Sequence, residues 1–155
     1  MLPCVCIASI RASRTILNCT LKAWNPSMSI WKQFNPNPQK RNVGDCSIRA
    51  ISAALGVDWV TAYEMVADAG LRLFDMPSSN AVWGSVLRDH GFKRYIIPNA
   101  CPDCYTLGDF AYHHPNGINV VGTGNHVATV ISGTVWDSWY SLSETPIFYW
   151  RKDEK

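Results

Sequence analysis

The hydrophobic period of this chain changes once, near Gly91, and that change limits the folds open to it. Between Cys46 and His90 apolar residues recur at helical spacing; beyond Gly91 they fall in short β-branched and aromatic runs. The spacing predicts a first helix over Cys46–Leu55, with Ile48, Ile51 and Leu55 on one face. Asp45 is its expected N-cap and Gly56 its stop. A second helix, capped by Asp58, is expected to end at Gly70 and to bury a stripe of Trp59, Val60, Tyr63, Val66 and Ala67. A third is expected from Asn80 to His90, with Val82, Trp83, Val86, Leu87 and His90 on one side and Gly91 ending it. Strands follow in "FKRYIIP", "INVVGT", "HVATVI", "TVWDSWY" and "PIFYW". They are interrupted by a short helix in "TLGDFAYHH", capped by Thr106 and stopped by "PNG". Helices first and mostly antiparallel strands afterwards define an α+β class.

Composition narrows the classes of function. The chain has 155 residues, 47% apolar and 17% charged, which suits one globular domain with its own core. No apolar run approaches the roughly 20 residues of a membrane span. No basic run or basic–aromatic interleaving suggests a nucleic-acid surface, so neither nucleic acid nor membrane is an expected partner. Residues 1–27 differ from the rest: they carry Cys4, Cys6, Cys19 and three basic residues but no acidic one. The expectation is an N-terminal extension outside the native domain, a domain over 28–150, and a charged tail over 151–155. The extension places its arginines after its apolar stretch, unlike a secretory signal. A reducing, cytoplasmic compartment with free thiols is therefore expected.

One thiol stands apart. Cys46 follows a Gly-Asp pair and opens the first helix, where unpartnered N–H groups and the helix dipole favour an anion such as a thiolate. An arm rich in Asn and Pro, "FNPNPQKRNVGD", leads to it. A cysteine nucleophile needs a base, and the base needs an orienting group. Of the four histidines, His90 lies on the apolar side of a helix end and His113 and His114 precede a turn; His126 opens a strand after "GTGN". If Ser132 and Gly133 turn the following hairpin, Ile131 pairs with Thr134 and Ala128 with Asp137. His126 and Asp137 then share a sheet face as diagonal neighbours. The triad expected from the residues is Cys46, His126 and Asp137.

The order of these three resembles papain-like cysteine peptidases. The Asp-Cys pair and the helix after it resemble bacteriocin-processing peptidases of export transporters. "GDCSIRAIS" resembles the nucleophile helix of ovarian-tumour-type deubiquitinases. From Met28 to Trp150, "NPNP", "VGDC", "RAI", "MPSSNAVWG", "GFKRY", "CPDCYT" and "WDS" are similar to small papain-like proteins of phages and prophages of Gram-positive bacteria. The resemblance implies a papain-like α+β fold, with helices packed on an antiparallel sheet. It implies a thiol protease, acting on a peptide or isopeptide bond of a peptide or protein substrate through a thioester, with no cofactor. A phage-encoded protein of this kind would work in the host cytoplasm. Papain-like enzymes carry an oxyanion-hole glutamine six residues before the cysteine, where Lys40 stands here. Gln39 and Asn42 are the nearby amide candidates, beside the Cys46 N–H. An amidase or transferase using the same site, or a degenerate binding module favoured by Lys40, are the alternatives.

"CPDC", from Cys101 to Cys104, is a lone C-x-x-C. It could be half a zinc site completed by His113 or His114, a redox pair, or a tight turn with two thiols. A fourth ligand and a thioredoxin-like pattern are both missing, so the turn is expected and no metal with it. Trp59, Trp83, Trp136, Trp139 and Trp150 are expected in the core and cleft wall.

Overall fold

The computed structural model describes residues 30–98 and 105–152. The extension over 1–27, the Cys101–Cys104 motif and the end of the charged tail lie outside the described residues. The elements run β1 (Trp31–Gln33), α1 (Cys46–Leu55), α2 (Trp59–Leu73), α3 (Asn80–Asp89), β2 (Phe92–Ile96), α4 (Leu107–His113), β3 (Ile118–Gly122), β4 (Val127–Ile131), β5 (Thr134–Asp137) and β6 (Phe148–Lys152). The class is α+β: four described helices and a mixed six-stranded sheet in the order β1-β5-β4-β3-β6-β2. All pairings are antiparallel except β1 with β5. β1 was not expected from the sequence. Three residues carry too little periodicity to signal a strand, and this one exists through its pairing with Val135, Trp136 and Asp137.

Strand alternation divides the apolar residues between two cores. β4 sends Val127 toward α1–α3 and Ala128 and Val130 toward α4. Thr129 donates its hydroxyl to the Ala50 carbonyl, tying β4 to α1. The first core joins Ile48, Ile51, Val66, Val82, Trp83 and Leu87 to Val120, Phe148 and Trp150. The second, under α4, gathers Leu107, Phe110, Val121, Val130 and Val135. α4 is started by a capping box in which Thr106 and Asp109 exchange hydrogen bonds.

The helices depart from expectation in informative ways. α1 has the expected bounds, but every residue from Ser47 to Ala54 is buried, not one face alone. Its Ala and Ser residues let it lie between the sheet and the pair α2–α3. α2 does not end at Gly70: it continues to Leu73 and is stopped by Phe74 at φ 53°. Gly70 is instead a point of close approach, since a Cβ there would meet the Asp75 carbonyl oxygen at 2.8 Å. The buried face of α2 is Ala62, Val66, Ala69 and Gly70, while Val60 and Tyr63 are exposed. Small residues mark where helices touch, so the bulky stripe misplaces the face. α3 behaves as expected at Val82, Trp83, Val86 and Leu87. His90 is exposed at its end, where its Nδ1 meets the Val86 carbonyl at 2.8 Å.

Among the described residues no helix is long and apolar enough to cross a membrane.

Candidate active site

Three elements converge at one end of the sheet. The β4–β5 hairpin turns at Ser132 and Gly133, both in the left-handed region, and pairs Ile131 with Thr134 as the sequence register requires. His126 directly precedes β4 and Asp137 closes β5, so both stand at the hairpin's open end. The N-terminus of α1 brings Cys46 to the same end.

His126 Nε2 donates to Asp137 Oδ2 at 2.6 Å. That bond leaves Nδ1 as the ring nitrogen available to the thiol. The thiol and the imidazole act on each other through a hydrogen-bond interaction and through charge. Burial alone would push the Cys46 thiol up. The His126 hydrogen bond and charge, the Val127 backbone N–H and the Arg49 charge outweigh it and hold the thiol below its ordinary value. Burial would pull His126 down, but its bonds to Asp137 and Cys46 and the charges of both raise it to about 9. The direction of both shifts is that of a thiolate–imidazolium pair.

Asp137 is 2% exposed, and its carboxylate is held on several sides. Besides His126 it accepts from the Ser141 hydroxyl at 2.6 Å and from the Ser138 N–H at 2.7 Å. Arg49 Nη2 stands 3.8 Å from its other oxygen. The Trp139 ring lies 5.1 Å from the imidazole and forms a wall beside the His126–Asp137 bond. Trp139 itself is anchored by the Trp31 indole, which donates to its carbonyl at 2.9 Å.

Asp45 occupies the N-cap position of α1 but does not cap it. Its side chain makes no bond to the helix start, and its backbone, at φ −107° and ψ 26°, is not extended as N-caps usually are. One carboxylate oxygen pairs with Arg49 Nη1 and the other accepts from the Trp59 indole at 2.8 Å. The first N–H groups of a helix have no partner within it. With the cap diverted, the Asp45 side chain takes none of those of α1.

The cleft around Cys46 and His126 holds about 160 Å³. Ser47, Ser78, Asn80, Trp83, Thr123, Gly124, Asn125 and Val127 complete its lining. Gln39 and Asn42, the expected oxyanion amides, are exposed on the arm and do not line this cleft. Lys40 is also exposed there, at φ 53°, with its ammonium on the Asn35 carbonyl at 3.0 Å. The arm is turned by the Asn35 and Asn37 side chains, which accept backbone N–H bonds and carry its residues outward. The side-chain amides in the cleft belong to Asn80 and Asn125. Asn80 Oδ1 already accepts from the Trp83 indole at 3.2 Å.

The structure thus brings Cys46, His126 and Asp137 together and leaves Gln39 and Asn42 apart from them. Sequence reasoning missed Arg49 and Ser141. An arginine in the middle of the apolar α1 pattern was a signal for the first, because a buried guanidinium requires carboxylate partners. Ser141 lies in a loop with no period to mark it. Two wider grooves, of about 480 and 560 Å³, border α2, but neither sets a nucleophile beside a base. His113 stacks on Tyr105, and His114 bonds the Phe110 carbonyl at 2.9 Å, so both are engaged within their own helix region. Among the described residues no group of three His, Cys, Asp or Glu could hold a metal ion.

No protein-family model, no curated protein and no solved structure matches this chain.

Proposed function

We propose that this chain is a papain-like cysteine hydrolase that cleaves a peptide or isopeptide bond in a peptide or protein substrate. The observation that carries the reading is a half-buried thiol at an uncapped helix start, facing an imidazole whose far nitrogen is fixed by a buried carboxylate. A nucleophile helix beside a sheet that carries base and orienter is the papain arrangement, and the α+β layout supports it.

In this reading the Cys46 thiolate attacks the substrate carbonyl carbon, and the C=O π electrons move to the oxygen. The resulting oxyanion is met by N–H groups at the start of α1, Cys46 foremost, with Asn80 or Asn125 in reach of the same cleft. His126 passes its proton to the leaving amine, and the C–N bond breaks to leave a thioester on Cys46. Neutral His126 then takes a proton from water, the hydroxide attacks the thioester, and the acid product leaves as the thiolate and imidazolium re-form. Asp137 keeps the ring oriented throughout and stabilises its charge. No step uses a cofactor.

The test is a panel of peptidyl vinyl methyl esters, read by intact mass and peptide mapping. One adduct on Cys46, lost in Cys46→Ser and strongly reduced in His126→Ala, is expected. Absence of any adduct across the panel, or one undiminished by loss of His126, would point to a binding module with the same fold.

A further inference from the structure

We infer that Arg49 is a positioning residue of this site, which draws the Asp45 carboxylate off the start of α1 and so keeps that helix end open to the thiolate and oxyanion. The inference rests on the hydrolase reading and deepens it.

Arg49 is only 6% exposed, and its guanidinium spans two carboxylates from different parts of the fold. Nη1 pairs with Asp45 Oδ1, from the arm before α1, and approaches the Val43 carbonyl at 3.4 Å. Nη2 lies 3.8 Å from Asp137 Oδ1, at the end of β5. Its Nε is buried without a hydrogen-bond partner. Trp59, from α2, takes the second oxygen of Asp45 at 2.8 Å, so both oxygens are turned from the helix start.

An aspartate in this position ordinarily accepts from the second or third N–H of its helix. Here it makes no such bond. A released Asp45 carboxylate would do two things. It would take N–H groups that otherwise face the cleft, and it would set a negative charge beside the thiolate. Among the described residues, the charged and titratable groups beside Arg49 are Asp45, Asp137 and, through charge, Cys46; those that act on the thiol are His126 and Arg49. From Asp45 through Arg49, Asp137 and His126 to Cys46 the charges alternate in sign. An ion pair that served the fold alone would change stability when broken but not the pH dependence of Cys46.

The experiment is the rate of Cys46 alkylation by iodoacetamide against pH, in the full chain and in three variants, with folding checked by circular dichroism. Arg49→Met should slow labelling at about pH 6 by roughly 3- to 10-fold, because a nearby cation is lost and Asp45 is freed. Asp45→Asn, which removes the negative charge beside the helix start, should speed it, the opposite direction; an unchanged rate would count against the inference. The double variant Asp45→Asn/Arg49→Met removes both charges of the buried pair, which protects folding if the single arginine change unfolds. It should label faster than Arg49→Met, or, if that variant is unfolded, no more than about 3-fold slower than the unaltered chain. Folded Arg49→Met with an unchanged profile, or both single variants shifted the same way, would overturn the inference. An unaltered chain whose Cys46 labels as an ordinary thiol would instead remove the hydrolase reading beneath it.

Discussion

His126 Nε2 and Asp137 Oδ2 meet at 2.6 Å across the open end of the β4–β5 hairpin. The bond joins the residue before one strand to the last residue of its neighbour, so the backbone pairing that builds the sheet also aims the imidazole. Asp137→Asn keeps the shape of that contact and removes its charge. His126, raised to about 9 in the folded chain, should then titrate lower. Activity that needs a protonated imidazole falls as pH rises through its folded value. The basic limb of kcat/KM, expected near pH 9 in the unaltered chain, should therefore move toward neutrality in Asp137→Asn. The stability consequence has a definite sign. A raised histidine stabilises the fold fully below its ordinary value and loses that contribution as pH rises through about 9. The stability gap between the two proteins, measured by urea unfolding, should be wide near neutrality and narrow above that pH. A gap that widens on the alkaline side would contradict the assignment.

Ser141 donates to the same carboxylate oxygen at 2.6 Å and is completely buried. Ser141→Ala removes a hydrogen bond to a charged group, which costs about 1.5–3 kcal/mol. It should also lower kcat while leaving KM nearly unchanged, because Asp137 loses part of its orientation without any change in the cleft lining. Equal loss in kcat and gain in KM would place Ser141 in substrate binding instead.

The two halves of the site differ in how legible they were. The bounds of α1 match the expectation, but only the Gly56 stop works as read, in the left-handed region; Asp45 stands at the N-cap position without capping the helix. The register of β4 with β5 follows from a two-residue turn, which sets every pair beyond it. What joins these halves was not legible. Arg49 is local to α1 but earns its meaning from Asp137, 88 positions along the chain. β1 is too short to signal itself, and the buried side of α2 is set by alanines whose value is their smallness. The arm is legible as extended, but the direction in which Gln39 and Asn42 point depends on turns made by Asn35 and Asn37.

Packing between α3 and the sheet supplies an independent check on the fold. A Cβ on Gly84 would meet Trp150 Cζ2 at 2.7 Å, while Trp150 also packs edge-on against Trp83 at 6.5 Å between ring centroids. Gly84→Ala should destabilise by about 1–3 kcal/mol through overpacking, read as an earlier urea midpoint with an unchanged slope. A neutral or stabilising effect would mean that α3 lies farther from β6 than described.

The most direct measurement is the pH dependence of Cys46 alkylation in the unaltered chain beside His126→Ala, with each labelled peptide identified by mass. A thiol lowered by His126, Arg49 and the Val127 N–H should label well below its ordinary titration range, and His126→Ala should push its onset upward. Labelling that begins below the ordinary range of a free thiol, slowed about tenfold or more by loss of the imidazole, is the result the thiolate–imidazolium reading predicts. A Cys46 that gains reactivity only above about pH 8, with or without His126, would mean an ordinary thiol and no catalytic pair.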